Sequence, residues 1–380
     1  MTATLARGVG LACRANPRAL SLLITRIAKY VPARPTAPVM GGILLEVDVD
    51  GRLTATGYDY DTAARARIDV DDPAPGRALV SGRLLDALVK TFPDKPVDLA
   101  ITDTTLNVRC GGLRLTLPLM VVDDYPTLPE MPATVGRVDA AEFGRLVTRT
   151  VPAADLSTKT GRAVLHGVHV GLGADLEMVA SDGYRIAEGR APWRQAGPVE
   201  LALTIPGPAL AEVGRTLDGP GDLTIGYAAD SGVVGFATDD GQTVVTRLIA
   251  EEWPIGVLST IPELSGTPAT VGTTDLAMAI KRAEMVRADK TASVALTFTA
   301  GQVSVAGAGD ATTGEDIECR YDGPDLTIHV NPHYFTDALA GLRDDTAVIS
   351  ITDPLRPVVL TSPSGGEQAY RHVIMPIRLR

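Results

Sequence analysis

The chain has 380 residues and a formal net charge of −11, and 45% of its residues are hydrophobic while only 4% are aromatic. This length suggests two or three domains of about 100–200 residues each, and the apolar content excludes wholesale disorder. The sequence contains no uncharged apolar run of about 18 residues, the length that a membrane-spanning helix needs. The acidic balance argues against a surface coated with phosphate-binding residues, although one confined basic surface is compatible with it.

The cysteines and the N-terminal region indicate a reducing compartment. The cysteines are far apart and form neither a disulfide framework nor a CxxC metal site; they are Cys13, Cys110 and Cys319. The apolar run Leu20–Ile24 is soon followed by Arg26 and Lys29, so it is too short and too charged for a secretory signal. We therefore expect a cytoplasmic protein with buried thiols and no membrane partner.

Taken in chain order, the spacing of apolar residues predicts six amphipathic helices. They span Pro17–Tyr30, Ser81–Lys90, Asp139–Val151, Pro206–Leu217, Thr274–Lys290 and Asn331–Arg343. Alternating runs that are typical of strands follow the helices. Examples are Gly42–Val49, Val97–Ile101, Leu106–Cys110, Leu165–Val170, Leu223–Tyr227, Val233–Ala237, Ser293–Thr299, Ala347–Ile351 and Val358–Thr361. Each third of the chain is thus predicted to hold two helices packed on antiparallel sheets, an α+β arrangement.

An internal repeat organises these elements. The helices that begin at Ser81, Pro206 and Asn331 lie at equal intervals of 125 residues. In this register their apolar positions match at i, i+3 and i+7, which is one face of a helix. The matched sets are Leu85, Leu210 and Phe335, then Leu88, Val213 and Ala338, and then Phe92, Leu217 and Leu342.

The end of the first third of the sequence resembles the end of the second third. Tyr125-Pro126 and Trp253-Pro254 each follow two acidic residues and lead into proline-rich stretches that are typical of linkers. We therefore predict three similar domains, over residues 1–131, 132–262 and 263–380.

The chemistry of common catalytic sites is missing from the sequence. It has no GxxxxGK[ST] loop, no HExxH pair and no GxSxG elbow. His166 and His169 lie three apart on a predicted strand, so they face opposite ways and do not share a metal. Asp59 and Asp61 would share a strand face if alternation continued, but no third ligand is identifiable and a loop or edge pair is favoured. Asp182-Gly183 is typical of a hairpin turn. The pattern favours a binding or structural role over an enzyme, and it implies no metal or other cofactor.

Charge is segregated between the helices and the remainder of the chain. The predicted helices carry more basic than acidic residues, whereas the other segments are strongly acidic. If the helices shared one surface, that surface would attract a phosphate backbone without reading its sequence.

Four motifs closely resemble the bacterial DNA polymerase III β subunits, the sliding clamps. They are Ala33–Val47 and Asp123–Pro129 in the first third, Ala180–Ala187 in the middle third and Tyr370–Leu379 at the C-terminal end. The motifs occur in the family's order and spacing, and the resemblance covers nearly the whole chain.

This resemblance implies a head-to-tail homodimeric ring of three clamp domains per chain, with helices lining the hole and sheets outside. Such a ring is a non-catalytic processivity factor: it encircles double-stranded DNA without sequence preference and tethers the replicative polymerase. The implied partners are DNA, a second copy of the chain, the DNA polymerase III α subunit, the clamp loader, and other polymerases and repair proteins that carry short linear motifs. The implied location is the cytoplasm, in association with the nucleoid.

The resemblance also assigns residues to DNA and to the subunit interface. Arg34 matches a DNA-contacting arginine of the family. Placement on the helices or in adjacent loops adds Arg26, Lys29, Lys90, Arg149, Lys159, Arg162, Arg215 and Lys281. Leu115 on a predicted edge strand, together with Met285 and Val286, matches apolar positions of the ring interface.

A pocket for partner peptides is implied between the middle and last domains, as an apolar groove with backbone groups and an arginine at its rim. The matching residues are Leu165, Ser181, Gly183, Tyr184, Arg185, Ile186, Pro254, Val373, Ile374, Met375, Pro376, Ile377 and Arg378.

The sequence departs from the family pattern beside this pocket. The segment Trp253–Pro262 lacks a usual basic residue and is one residue longer, Arg380 extends the usual end, and about ten extra residues precede the first domain. One alternative is therefore a specialised clamp copy with an altered pocket, which would resist a pocket-binding inhibitor or prefer other partners. A more distant alternative is a small-molecule hydrolase or binding protein on a repeated α+β scaffold.

Overall fold

The computed structural model describes residues 10–156, 162–217, 219–260, 266–287, 293–309, 311–342, 344–364 and 370–378. The chain forms two compact units. The first comprises Met1–Arg137 and Gly219–Arg247, and the second comprises Val138–Asp218 and Leu248–Arg380. Among the described residues, no helix has the length and hydropathy that a membrane span requires.

The predicted helices are present in the described residues, with shorter bounds. They are α1 (Pro17–Ile27), α2 (Gly82–Val89), α3 (Ala140–Thr150), α4 (Gly207–Thr216), α5 (Thr273–Met285) and α6 (Pro332–Gly341). The side chains of Asn16, Ser81, Asp139 and Asn331 accept backbone N–H groups and begin four of them. The predicted extension of α5 to Val286 and Arg287 is wrong, because their N–H groups turn back to the carbonyl oxygen of Glu284. The last predicted residues, 288–290, lie outside the described residues.

The strands follow in chain order. The first are β1 (Ala12–Ala15), β2 (Gly42–Val47), β3 (Arg52–Tyr58), β4 (Thr62–Asp69), β5 (Asp71–Ala74), β6 (Gly76–Ser81), β7 (Val97–Thr102), β8 (Thr105–Cys110) and β9 (Leu113–Pro118). Next come β10 (Thr134–Asp139), β11 (Gly167–Leu172), β12 (Leu176–Ser181), β13 (Arg185–Ala191), β14 (Trp193–Gln195), β15 (Leu201–Pro206), β16 (Asp222–Ala228), β17 (Val233–Thr238) and β18 (Thr243–Arg247). The last are β19 (Thr267–Gly272), β20 (Val294–Thr299), β21 (Gln302–Ala308), β22 (Thr312–Arg320), β23 (Leu326–Val330), β24 (Thr346–Ile351), β25 (Val358–Thr361) and β26 (Arg371–Ile374).

The first unit contains two antiparallel sheets. One has the strand order β5-β1-β7-β8-β9, and the other contains the consecutive strands β16-β17-β18-β4-β3-β2-β6. Helices α1 and α2 contact each other, and α1 packs on β3 and β4. The prediction of buried cysteine thiols is confirmed for Cys13 and Cys110 in this unit and for Cys319 in the second.

The second unit is built on one long antiparallel sheet. Its strand order is β15-β11-β12-β13-β26-β25-β24-β19-β22-β21-β20-β23. Helices α3 and α4 pack together, as do α5 and α6, and α3 also contacts α6. The core beneath α5 and α6 is mostly aliphatic, with Phe298 and Phe335 among its few aromatic residues.

Each unit contains strand pairing that crosses a predicted domain boundary. In the first unit β18 pairs with β4, with Thr246 opposite Thr62. In the second unit β26 pairs with β13, with Ile374 opposite Arg185. A strand of one predicted domain thus satisfies the backbone groups of the preceding one.

Most of the matched helix positions of the repeat are confirmed as core positions, whereas Leu88 and Leu342 are only partly buried. Leu85 is 2% exposed, and Leu210 and Phe335 are fully buried. Phe92 is only half-buried, since it lies beyond the end of α2.

One local prediction is wrong and another is confirmed. His166 lies in the 3-10 turn Ala163–His166 that precedes β11, so it is not on the strand with His169. The favoured loop placement of Asp59 and Asp61 is confirmed: they lie in the turn after β3, where the Asp59 carboxylate accepts the N–H groups of Asp61 and Thr62 and ends the strand.

The repeat register predicts unequal roles for two adjacent leucines of α2. Leu85 is 2% exposed and Leu84 is 43% exposed. Leu85→Ala should destabilise the protein by about 2–5 kcal/mol, because it leaves a cavity in the core. The matched control Leu84→Ala should cost less than about 0.5 kcal/mol. Urea unfolding followed by circular dichroism measures both, and equal midpoints for the two variants would contradict the assigned core face.

Candidate functional site

The predicted Asp182-Gly183 hairpin is confirmed, and its own side chains shape it. The Asp182 Oδ1 atom accepts the N–H groups of Tyr184 at 2.9 Å and Arg185 at 3.1 Å. The Ser181 hydroxyl donates to the Arg185 carbonyl oxygen at 2.7 Å and accepts from the Gly183 N–H at 3.0 Å. Gly183 has φ of +90°, a backbone conformation that strongly favours glycine.

The C-terminal segment lies directly beside this hairpin. Within the β13–β26 pairing, Ile186 is opposite Val373. Beyond the strand, the Met375 N–H donates to the Tyr184 carbonyl oxygen at 2.9 Å. The Ile377 N–H then donates to the His329 carbonyl oxygen at 2.6 Å. The structure thereby brings two parts of the predicted pocket together, the hairpin and residues 373–378.

The remaining predicted pocket residues flank β11. Leu165 lies in the turn that leads into this strand and is 7% exposed. Pro254 is exposed and follows the buried Trp253. The Trp253 ring contacts the His169 ring of β11 with 6.1 Å between centroids. Leu165 and Pro254 are thus positioned through β11, which pairs with β12 of the hairpin.

Two exposed apolar side chains mark the groove. Tyr184 is 66% exposed and Met375 is 40% exposed, although Ile374 beside Met375 is fully buried. Their backbones are joined by the Met375–Tyr184 hydrogen bond described above. An exposed tyrosine and an exposed methionine held side by side are suited to cover an apolar side chain of a ligand.

The predicted rim arginine has a structural role. Arg185 is 8% exposed, and its Nε atom lies 3.0 Å from the Asp182 Oδ2 atom. Its Nη1 atom lies 2.6 Å from the Asp337 Oδ2 atom, and its Nη2 atom donates to the Pro152 carbonyl oxygen. The guanidinium also lies 4.3 Å from the centroid of the Tyr334 ring. Burial of this charge is tolerated because both carboxylates pair with it.

Sequence reasoning missed three of these partners. Asp182 was identified only as a turn residue, and Asp337 and Tyr334 on α6 carried no signal, because the fold alone brings them to Arg185. Burial and the nearby Asp182 carboxylate raise the pKa of Tyr334 to about 12, so its hydroxyl stays protonated.

Unlike the buried Arg185, the predicted pocket residue Arg378 is exposed at the end of the described segment.

A buried polar chain lies behind the hairpin on β26. The His372 Nδ1 atom lies 2.7 Å from the Tyr370 hydroxyl oxygen, which donates to the Arg149 carbonyl oxygen at 3.1 Å. Both contacts are made at once when neutral His372 carries its proton on Nδ1. Burial, aided by the positive charge of Arg185, lowers the pKa of His372 to about 3. His372 therefore stays neutral at physiological pH.

The predicted DNA-facing residues of the first unit differ in their surroundings. Lys29 and Arg34 are exposed. Arg26 donates to the Gln242 side chain at 3.0 Å, and Lys90 is 2.7 Å from Asp86.

The second unit shows the same mixture. Arg162 and Lys281 are exposed. Arg215 is 2.7 Å from Glu212, and the Arg149 guanidinium lies 5.8 Å from the centroid of the Tyr370 ring. Lys159 lies outside the described residues. The assignment of these residues to DNA stays a prediction.

The predicted interface residues lie at an edge and at a helix end. Leu115 is on β9, the last strand of its sheet, so the predicted edge placement is observed. Met285 ends α5 and is 78% exposed, and Val286 follows it.

Within the described residues, no group of three His, Cys, Asp or Glu side chains is arranged to hold a metal.

Comparison with protein families matches three consecutive segments of the chain. They are the N-terminal, central and C-terminal domains of the DNA polymerase III beta subunit, over residues 17–129, 137–255 and 259–378. The prediction of three domains of this α+β class is thereby confirmed, whereas the boundaries at residues 131 and 262 stay predictions.

Curated relatives agree with these matches. The chain is 31% identical to the Beta sliding clamp of Streptomyces coelicolor, over 93% of this chain and 95% of that protein. It is 35% identical to the Beta sliding clamp of Micrococcus luteus, over 78% of this chain and 94% of that protein. It is also 27% identical to the Beta sliding clamp homolog GriR of Streptomyces muensis, over 93% of this chain and 95% of that protein.

Solved structures share the fold. A Bacillus subtilis sliding clamp matches with a TM-score of 0.86 and 24% identity, covering 98% of this chain and all of that one. A Pseudomonas aeruginosa sliding clamp bound to griselimycin matches with a TM-score of 0.87 and 23% identity, covering 97% of this chain and all of that one.

The buried His372 predicts a pH dependence of stability. Its folded pKa of about 3 lies below its ordinary value of 6.5, so the stabilisation is complete above pH 6.5 and is lost as the pH falls toward 3. Between pH 7 and pH 5 this residue alone should lower the free energy of unfolding by about 2 kcal/mol. His372→Leu should remove that part of the pH dependence, as measured by urea unfolding at both pH values.

The matched control is His166→Gln, because His166 lies in the turn before β11 and is not buried. This control should retain the pH dependence of the unmodified protein. An unchanged pH dependence in His372→Leu would contradict a buried neutral histidine.

Proposed function

The chain belongs to the DNA polymerase III beta subunit family, and we propose that it is a DNA sliding clamp. In this role a ring-shaped homodimer encircles duplex DNA and tethers the replicative polymerase for processive synthesis, without catalysing a reaction itself. The observation that carries the proposal is the match of three consecutive family domains over residues 17–378. A protein with this role works on chromosomal DNA, at the nucleoid.

The basic residues of the helices support contact with DNA. Lys29, Arg34, Arg162 and Lys281 expose cationic side chains on helices or in the loops beside them. Such side chains attract phosphates without reading bases, which is the interaction that a protein moving along DNA needs.

The edge strands support closure into a ring. Strand β9 ends one sheet of the first unit and β23 ends the sheet of the second. Unpaired edges invite association with other strands, and a head-to-tail dimer would cover them. In the proposed dimer, Leu115 of one subunit and the exposed Met285 with Val286 of the other contribute apolar contacts.

The hairpin groove supports recognition of short linear peptides. We define it by the turn Ser181–Ile186 and the segment Val373–Arg378, with Leu165 and Pro254 beside it. Its exposed Tyr184 and Met375 offer apolar contacts, and the flanking backbone offers hydrogen bonds. The proposed occupants are motifs of the DNA polymerase III α subunit, the clamp loader, other polymerases and repair proteins.

The alternatives are less well supported. A specialised clamp copy is compatible with the relative named Beta sliding clamp homolog GriR, but the Beta sliding clamps of Streptomyces coelicolor and Micrococcus luteus are more similar in sequence. The departing segment Trp253–Pro262 lies partly outside the described residues. Membership of the DNA polymerase III beta subunit family argues against the alternative of a hydrolase on a repeated scaffold.

The DNA contact predicts a salt-dependent binding defect. In Lys29→Ala/Arg34→Ala, affinity for a short duplex should fall, because two phosphate contacts are lost. The slope of log affinity against log salt concentration should become shallower by about 0.9 for each lost contact. Fluorescence anisotropy at several salt concentrations measures the slope. Arg77→Ala, a charge change on strand β6, is the matched control and should leave the slope unchanged.

Retention on circular but not on linear DNA tests the ring directly. After loading onto nicked circular DNA by its clamp loader, the protein should stay bound through gel filtration and should leave when the circle is linearised. Equal retention on circular and linear DNA, or no stimulation of polymerase processivity, would contradict the proposal.

The hairpin groove predicts selective loss of peptide binding. Tyr184→Ala/Met375→Ala should weaken binding of a labelled polymerase α-subunit motif peptide at least about tenfold, because each side chain loses apolar contact worth about 1 kcal/mol or more. Both side chains are largely exposed, so the variant should remain folded. Leu355→Ala, which removes a 49% exposed leucine from a loop of the same unit, is the matched control. Wild-type affinity in the double variant would refute this groove as the binding site.

A further inference from the structure

The first unit contains a turn built like the one in the hairpin groove. The Asp59 Oδ1 atom accepts the N–H groups of Asp61 at 3.0 Å and Thr62 at 2.6 Å. The Asp182 carboxylate accepts the equivalent pair at the other turn. In both turns the middle residue has positive φ, +78° at Tyr60 and +90° at Gly183.

The strand that follows each turn has an equivalent neighbour. Strand β18 pairs with β4 in the register in which β26 pairs with β13. The Arg247 N–H donates to the Asp61 carbonyl oxygen at 2.9 Å, as the Met375 N–H donates to the Tyr184 carbonyl oxygen. Arg247 therefore occupies the place that Met375 has in the hairpin groove.

The side chains at these equivalent places differ. Tyr60 stands where the other turn has glycine, and a tyrosine at positive φ is strained by about 1–2 kcal/mol. Its ring is 46% exposed, and its centroid lies 5.8 Å from that of Tyr58. The Tyr58 hydroxyl donates to the Tyr60 carbonyl oxygen at 3.0 Å and fixes the turn. The turn thus presents an aromatic ring at the surface, despite the strain that its backbone conformation costs.

A cavity of about 320 Å³ lies beside this ring. Six of its lining residues matter for recognition: Tyr60, Asp61, Glu130, Met131, Val245 and Arg247. We name this cavity the second groove. Its volume falls within the range of ligand pockets, and its lining combines apolar and charged groups.

Two glycines of the sheet make room for the segment that forms one wall of the second groove. Gly226 and Gly235 lie opposite each other on β16 and β17. A Cβ atom on Gly235 would come within 2.5 Å of the Met131 Sδ atom, so the glycines make room for the segment that forms the wall. The cavity is therefore supported by the fold rather than by a loose loop.

We infer that the second groove binds a short extended peptide that carries a basic side chain next to an apolar one. The carboxylates of Asp61 and Glu130 outnumber the single guanidinium of Arg247, which favours a cationic side chain. The exposed Tyr60 ring offers a cation–π contact to the same group.

The other lining groups fix the remainder of the peptide. Met131 and Val245 provide the apolar contact, and Arg247 donates hydrogen bonds to the peptide's backbone carbonyl groups. In the hairpin groove, the corresponding place of Arg247 is taken by the uncharged Met375. The two grooves thus select different peptides, so one chain can hold two partners at once.

Methyl NMR of the full-length protein tests the inference with a defined probe. The probe is acetyl-Leu-Lys-Phe-amide, titrated into protein labelled at methionine and valine methyl groups. Saturable shifts are expected at Met131 and Val245. The matched probe acetyl-Leu-Glu-Phe-amide should bind at least about tenfold more weakly, because its carboxylate meets Asp61 and Glu130.

Two variants of the protein sharpen the test. Tyr60→Gly installs the residue of the equivalent turn, so it should keep or raise stability, yet it should weaken binding of the lysine probe several-fold. Asp61→Asn/Glu130→Gln should abolish the preference for lysine over glutamate. Met375→Ala alters only the hairpin groove and should leave the probe affinity unchanged.

The outcomes separate this inference from the proposed function. Shifts confined to Met375 and Val373, equal affinity for both probes, or full binding by Tyr60→Gly would overturn the second groove and leave the sliding clamp intact. Failure of the polymerase peptide at the hairpin groove would contradict the proposed function and leave the second groove standing.

Discussion

Backbone pairing between β13 and β26 is the interaction on which the hairpin groove depends. It brings the last described segment of the chain to a hairpin almost 200 positions earlier in sequence and satisfies the hydrogen-bonding groups of both strands. The Met375–Tyr184 backbone hydrogen bond extends this pairing by one step, and it places an exposed methionine beside an exposed tyrosine. Without the pairing there would be no groove, because its two walls come from different predicted domains.

The same pairing explains why a charged residue can lie inside the second unit. At the start of β13, Arg185 points toward α6, where Asp337 pairs with it, while the turn supplies Asp182. On the opposing strand, burial together with this nearby cation lowers the pKa of His372. Removal of either carboxylate would leave an uncompensated buried charge, which is far more costly than the loss of an exposed ion pair. The electrostatics behind the groove therefore keep its backbone in place.

Much of this architecture was predictable from the sequence, because helix periodicity and the equal intervals of the repeat are local signals. Leu85, Leu210 and Phe335 were identified as core residues from spacing alone. The turn at Asp182-Gly183 was predictable for the same reason, since its geometry depends on neighbouring residues.

Long-range partners were not predictable in this way. Nothing near Asp337 or Tyr334 in the sequence indicates that they meet Arg185. A loop at Asp59 and Asp61 was expected, but only the structure shows that the Asp59 carboxylate ends the strand by accepting two N–H groups. The predicted peptide pocket came from resemblance to a family, and the structure adds the reason why its backbone is held.

An acidic protein can act on DNA when its helices present only a weak positive charge. Here acidic neighbours on the same helix neutralise some of the basic residues. Lys90 is paired with Asp86, and Arg215 with Glu212, each within one helical turn. Such exposed pairs contribute little to stability, but they lower the local positive potential. Each phosphate contact raises affinity steeply at low salt, so a surface of unpaired arginines would bind the duplex more tightly. If these helices face DNA as we propose, a few exposed cations and several paired ones attract the backbone weakly, which suits a protein that slides.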